Sequence, residues 1–148
     1  MRIRTLLVAV AGVLMMALSA CSQEAGPTPT GGGEDPGPPA LATKLRAITQ
    51  DVCYRSPGDV DPSECQKYIT QLNSVPGQTH HYATFEAPQH PDAVESARAL
   101  RTAIDSYNNG RCIDEQSDVE ACTQSLQDIA EALEDVEGDV EDMAEQSG

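Results

Sequence analysis

The sequence predicts an all-α fold: a small four-helix bundle of two disulfide-stapled helical hairpins behind a disordered tether. Three observations predict it. Apolar residues recur at spacings of three and four in four separate stretches, the mark of helices with one buried face. No stretch alternates with period two over a useful length, so the signal for strands is missing. Four cysteines fall in two local pairs, each linking the end of one helical stretch to the start of the next.

The chain opens with a segment that belongs to no fold. Arg2 and Arg4 precede an uncharged apolar run over residues 6–18. As a helix that run rises only about 20 Å, short of the roughly 30 Å hydrocarbon core of a membrane. A basic start, a short apolar middle and small residues at the end form the layout of an export signal. Its last residues, Leu18-Ser19-Ala20-Cys21, resemble the lipobox of bacterial lipoproteins. The resemblance covers residues 1–21 alone. It implies a signal peptide over 1–20 and a cut between Ala20 and Cys21. It also implies a covalent diacylglycerol on the Cys21 sulfur, together with a fatty acid on Cys21. Each buried CH₂ contributes about 0.8 kcal/mol, and two or more acyl chains hold a protein stably at a membrane. The implied address is the extracytoplasmic face of the cell membrane, held by lipid. No later stretch of the sequence is apolar enough to cross.

Residues 21–40 read as a tether. Positions 22–40 hold five Gly and five Pro and no large apolar residue, a composition that cannot bury enough surface to fold. Gly31-Gly32-Gly33 is its flexible part and residues 36–39, with three prolines, its stiff part. A flexible chain of about 20 residues spans roughly 25 Å, enough to lift a domain off the surface.

The helical domain is expected over 41–146, with hairpin one at about 41–76, a connector at 77–90 and hairpin two at about 91–146. In the first helix Leu41, Leu45, Ile48 and Val52 share a face, and the stretch ends near Tyr54, before Ser56-Pro57-Gly58. The second starts with Asp61 as cap, Pro62 at the first helical position and Glu64 three residues after the cap. Its face is Cys65, Tyr68, Ile69, Leu72 and Val75, and Pro76-Gly77 is expected to stop it. The third opens at Pro91-Asp92, presents Ala93, Val94, Ala97, Leu100, Ile104 and Tyr107, and ends at Asn109-Gly110. The fourth opens at Ser117, with Glu120 completing a capping box. Val119, Cys122, Leu126, Ile129, Leu133, Val136, Val140 and Met143 alternate at three and four, the spacing of a helix packed along a seam. Gly138 weakens it by about 1 kcal/mol relative to Ala. Short connections suit an up-down-up-down bundle.

With Cys21 assigned to lipid, four cysteines remain, an even number in an exported domain. Three pairings are possible. The local one, Cys53 with Cys65 and Cys112 with Cys122, joins neighbouring antiparallel helix ends. Each loop of that size contributes on the order of 3 kcal/mol, which matters for a chain with so thin a core. A four-cysteine zinc site lacks a C-x₂₋₄-C pair, and redox activity lacks a C-x-x-C. After the second cysteine of each pair, Ile69 and Leu72 match Leu126 and Ile129 in spacing. That parallel fits an internal duplication of one hairpin, with chance periodicity as the other reading.

The chain has 148 residues, with 9 Lys and Arg against 24 Asp and Glu, a formal charge of −15. Loss of Arg2 and Arg4 leaves 7 against 24, or −17. Such a domain repels phosphate backbones, which argues against nucleic acid. It also repels an anionic membrane, so lipid alone would hold it there.

Candidate chemistry is sparse. His80, His81 and His90 sit in the connector with Tyr82 and Phe85, either as Zn²⁺ or Cu²⁺ ligands or as parts of a polar loop over the end of the bundle. Asp59-Val60-Asp61-Pro62-Ser63 begins like a calcium loop but has Glu64 where glycine is needed and Thr70 where glutamate is needed. Residues 131–145 carry eight acids and no base. They are either a solvated face or the flanks of a stripe. In the second reading Leu133, Val136, Val140 and Met143 run beyond shorter partner helices and meet a basic partner or a second copy. No nucleophile motif is present. The expected function is therefore a lipid-anchored, non-catalytic module without cofactor that contacts an envelope or extracellular protein. The alternative is a metal- or small-ligand-binding lipoprotein using the connector histidines.

Overall fold

In a computed structural model of the chain, residues 37–87, 90–114 and 116–147 are described. The expected signal peptide, Cys21 and the expected tether up to residue 36 lie outside the described residues. Those described are all-α, with no strand among them. Helix α1 spans Gly37–Ile48 and the single-turn α2 spans Val52–Arg55. A 3₁₀ turn at Pro62–Cys65 leads into α3, Gln66–Leu72. Helix α4, Val75–His81, widens into a π turn over Tyr82–Glu86. Two long helices follow, α5 at Pro91–Asn109 and α6 at Val119–Gln146.

Helix α6 is the spine. Its 28 residues rise about 42 Å, and both α5 and α1 pack along it. Arg46 Nε on α1 lies 3.2 Å from Glu141 Oε1, and Thr49 Oγ1, just after α1, lies 3.5 Å from Glu137 Oε1. Numbers rise on α1 as they fall on α6, so the two run antiparallel. Ser96 near the start of α5 donates to Asp139 of α6 at 2.6 Å, and Lys44 Nζ of α1 donates to Ser74 Oγ, just before α4, at 2.7 Å. Helices α3 and α4 together form the second leg of the expected up-down-up-down order, with α4 packed on α5. The core runs through the middle, from Leu45, Tyr68 and Leu72 to Leu100, Leu126 and Ile129.

Both disulfides form with the local pairing. Cys53–Cys65 brings its Cα atoms to 5.8 Å and Cys112–Cys122 to 5.5 Å, within the range a disulfide needs.

Several boundaries differ from expectation. Helix α1 begins at Gly37, inside the expected tether, and buries Pro38. Proline suits a first helical turn, where its missing N–H has no partner to lose. Helix α1 also ends at Ile48. The turn that follows lets Asp51 cap α2 by accepting from the Cys53 N–H at 2.9 Å, and it rotates Val52 outward, to 57% exposure. Pro76 and Gly77 do not end a helix. They start one: Pro76 takes the second position of α4, where it interrupts the hydrogen-bond ladder behind it without breaking the turns ahead. The 77–90 connector is thus helical through Glu86. The cap of α6 is Asp118 rather than Ser117. Its carboxylate accepts from the N–H groups of Glu120 and Ala121 at 3.1 and 3.2 Å and adds a negative charge at a positive helix end. Val119, as the first residue of α6, is then exposed instead of lining the seam. Hairpin one is also less self-contained than expected, because α1 packs chiefly on α6.

Candidate functional surfaces

The expected partner-binding stripe lies in the core. Leu133, Val136, Val140 and Met143 are each 0% exposed. The cause is the docking of α1, which runs antiparallel along this half of α6, with α5 on the neighbouring side. What α6 leaves to solvent is its acidic flank.

That flank forms one wall of a groove with α5. Ala99, Ala103 and Ala132 lie between rims carrying Glu95, Asp128, Glu131 and Asp135, with Arg98 also in the wall. A second hollow continues it toward Asp92, Ser96 and Asp139. Small side chains there leave the two helices without bulk between their outer edges.

On the other side of α6, the seam with α1 is acidic and partly buried. Burial pushes the Glu137 carboxyl above its usual range, and Glu141 and Glu134 push the same way, while the Thr49 hydroxyl and Arg46 pull it down. Tyr54 is raised by burial and by Glu134 and Glu137.

The histidines do not converge. His80 and His81 are both exposed on α4 and, as helix neighbours, are turned about 100° apart. His81 Nε2 lies 3.7 Å from Glu86 Oε1, and its ring centroid lies 5.1 Å from that of Phe85. His90 immediately precedes α5. Among the described residues no group of three or more His, Cys, Asp or Glu is placed to hold a metal ion. The calcium-like segment is a cap: Asp61 accepts from the Ser63 N–H at 2.9 Å and from its hydroxyl at 2.8 Å, which hold its carboxyl below the usual range.

Large apolar side chains left in solvent include Phe85, at 72%, near the end where α1 begins. Ile113 and Val119, at 47% and 61%, lie at the opposite end, both within the loop that the Cys112–Cys122 bridge closes. Periodicity assigns Val119 to the seam and so carries no signal of its exposure.

Two further features escaped sequence reasoning. The Tyr107 hydroxyl donates to the Pro62 carbonyl across the bundle. Arg111, not a glycine, holds the left-handed position after α5, with φ of 51°. Periodicity marks Tyr107 as buried but carries no signal for its polar partner.

Compared with known proteins, the chain matches no family model, no curated protein and no solved structure.

Proposed function

We propose that the chain is a lipid-anchored, extracytoplasmic helical module that acts by contact with another protein and performs no catalysis. The lipobox-like Leu18-Ser19-Ala20-Cys21 supports the anchor. The observation that carries the extracytoplasmic part is the pair of local disulfides, which persist in oxidising compartments and are rare where thiols are kept reduced. Among the described residues no helix is long and apolar enough to cross a membrane, which suits attachment by lipid.

The contact reading is supported by where the polar chemistry sits. The buried polar side chains described are Thr49, Thr79 and Ser96, all uncharged, and the carboxylates line the outer faces. A surface of that kind recognises by shape and charge.

Membrane fractionation of Cys21→Ser tests the anchor. The expected result is an uncleaved chain or one released to the soluble fraction. Normal cleavage with unchanged membrane attachment refutes it. Crosslinking in native membranes followed by partner identification tests the contact reading.

A further inference from the structure

We infer that the hollow between α1 and α3, centred on Lys44, binds a carboxylate that carries a short apolar group. This goes beyond the contact reading and stands whether or not the anchor does.

The hollow has a volume of about 430 Å³, within the size range of small-ligand sites. Lys44, Ala47 and Ile48 of α1 line one side, and Thr70 and Gln71 of α3 with Ser74 line the other. These walls hold one cation and no acid, in a chain with 24 acids against 9 bases. Among the described residues Lys44 has no carboxylate partner; the ion pairs there belong to Arg46, His81 and Arg111.

The ammonium is held in place. Lys44 Nζ donates to Ser74 Oγ at 2.7 Å, and an ammonium has three donors, so others remain for a ligand. Ser74 Oγ accepts that bond and keeps its own proton to donate. The Gln71 side chain is exposed and supplies an amide N–H. Thr70 is already engaged, because its hydroxyl donates to the Gln66 carbonyl at 2.8 Å. Lys44, Ser74 and Gln71 thus offer donors from both sides, while Ala47 and Ile48 form the apolar wall. Lys44 is half-buried, and burial holds its ammonium below the usual lysine range. An anion against it offsets that desolvation.

Charge selects the anion. One ammonium balances one negative charge, which fits a carboxylate. A phosphate dianion would leave a charge uncompensated in an already acidic domain. Repulsion from acids elsewhere on the surface is largely screened beyond about 8 Å at physiological ionic strength.

The test follows amide chemical shifts of the isotope-labelled full chain in non-ionic detergent during titration with butyrate. Inorganic phosphate and a short leucine-ended peptide, with its C-terminus free or amidated, are titrated alongside. The expected result is saturating shifts confined to residues 44–48 and 70–74, with half-saturation on the order of 1 mM. Lys44→Gln should weaken binding roughly tenfold through loss of a charge-assisted hydrogen bond. Lys67→Gln, at an exposed lysine outside the hollow, should leave it unchanged. Gln71→Glu adds a negative charge at an exposed position and should also weaken binding, so the test survives a folding failure of Lys44→Gln. Tighter binding of butyrate than of the free-ended peptide identifies a free acid as the ligand, and the reverse identifies a peptide terminus. Both uphold the carboxylate site. Absent or non-saturating shifts overturn it, as does equal binding of the amidated peptide or phosphate binding as tightly as butyrate. Indifference to either substitution in a chain that keeps its thermal midpoint overturns it as well.

Discussion

The hydroxyl of Tyr107 donates to the carbonyl of Pro62, and so fastens the last turn of α5 to the capped start of the α3 leg. The same tyrosine's backbone carbonyl accepts from Cys112 N–H at 3.3 Å. One side chain thereby connects the neighbourhoods of both disulfides. Burial, and then the charge of Asp61, push the phenol upward, so it remains a donor at ordinary pH. Tyr107→Phe keeps the ring and removes the donor. The expected cost is about 1 kcal/mol, with a thermal midpoint lower by about 4 °C or more by circular dichroism. An unchanged midpoint would show that the contact contributes nothing.

Each staple is worth testing by paired Cys→Ser replacement. Loops of 12 and 10 positions contribute about 3 kcal/mol each by restricting the unfolded chain. Because Tyr107 bridges the two regions, losing both should differ from the sum of the single losses. Urea midpoints of the three variants decide this. Mass spectrometry of the denatured domain before and after reduction should show a gain of four hydrogens, two for each of the bridges.

The class of the fold and its two staples were legible because periodicity and cysteine pairing are local signals. What was missed depended on partners distant in sequence. Leu133 to Met143 have the same spacing whether solvent or another helix lies against them, and only the antiparallel docking of α1, nearly a hundred positions earlier, decides which. Pro76 is ambiguous for a related reason. A proline ends the helix behind it and suits the first turn of the one ahead, and here Val75 to His81 find α5 to pack on.

The two residues after α5 contradict the usual division of labour in a helix stop. Gly110 has φ of −67°, which any residue adopts, and Arg111 takes the left-handed φ of 51°. A Cβ on Gly110 would lie 3.1 Å from Cys112 Sγ and 3.3 Å from the Ser106 carbonyl oxygen. Gly110→Ala should therefore destabilise through crowding of a disulfide and a backbone atom, neither of which yields easily. Arg111→Gly should stabilise by up to about 1 kcal/mol, since left-handed backbone is strained for residues with a Cβ. Its exposed pair with Asp114 returns little when lost. Opposite shifts in thermal midpoint for the two variants check the assignment.

Leu133→Ala separates a core role from a surface role. A fully buried leucine truncated to alanine costs about 2–5 kcal/mol. A residue waiting for an absent partner would lose little in the isolated domain. Chemical denaturation of the isolated domain should show the large loss. A midpoint close to that of the unaltered chain would return Leu133 to the surface.

Acid should act on the α1–α6 seam in a direction set by Glu137. Its folded carboxyl sits above the ordinary range, chiefly through burial and then through Glu141, with Glu134 adding and with Thr49 and Arg46 opposing. A group raised on folding adds stability that is complete below its unfolded value of about 4.3 and is lost as pH rises through the folded value. At neutral pH the ionised Glu137 therefore opposes folding. Asp61 works in the other sense, because its lowered carboxyl supports folding at neutral pH and loses that support in acid. The pH curve of the unaltered domain mixes the two, so the difference between variants is the useful measure. Glu137→Gln keeps an acceptor for the Thr49 hydroxyl, which lies 3.5 Å away, and removes the charge. It should raise the thermal midpoint at pH 7 and leave it nearly level with the unaltered domain at about pH 4, where the native glutamate is itself protonated. A gain of equal size at both pH values would mean that charge is not the cause. A lower midpoint at pH 7 would mean that the attraction of Arg46 outweighs burial and the neighbouring acids.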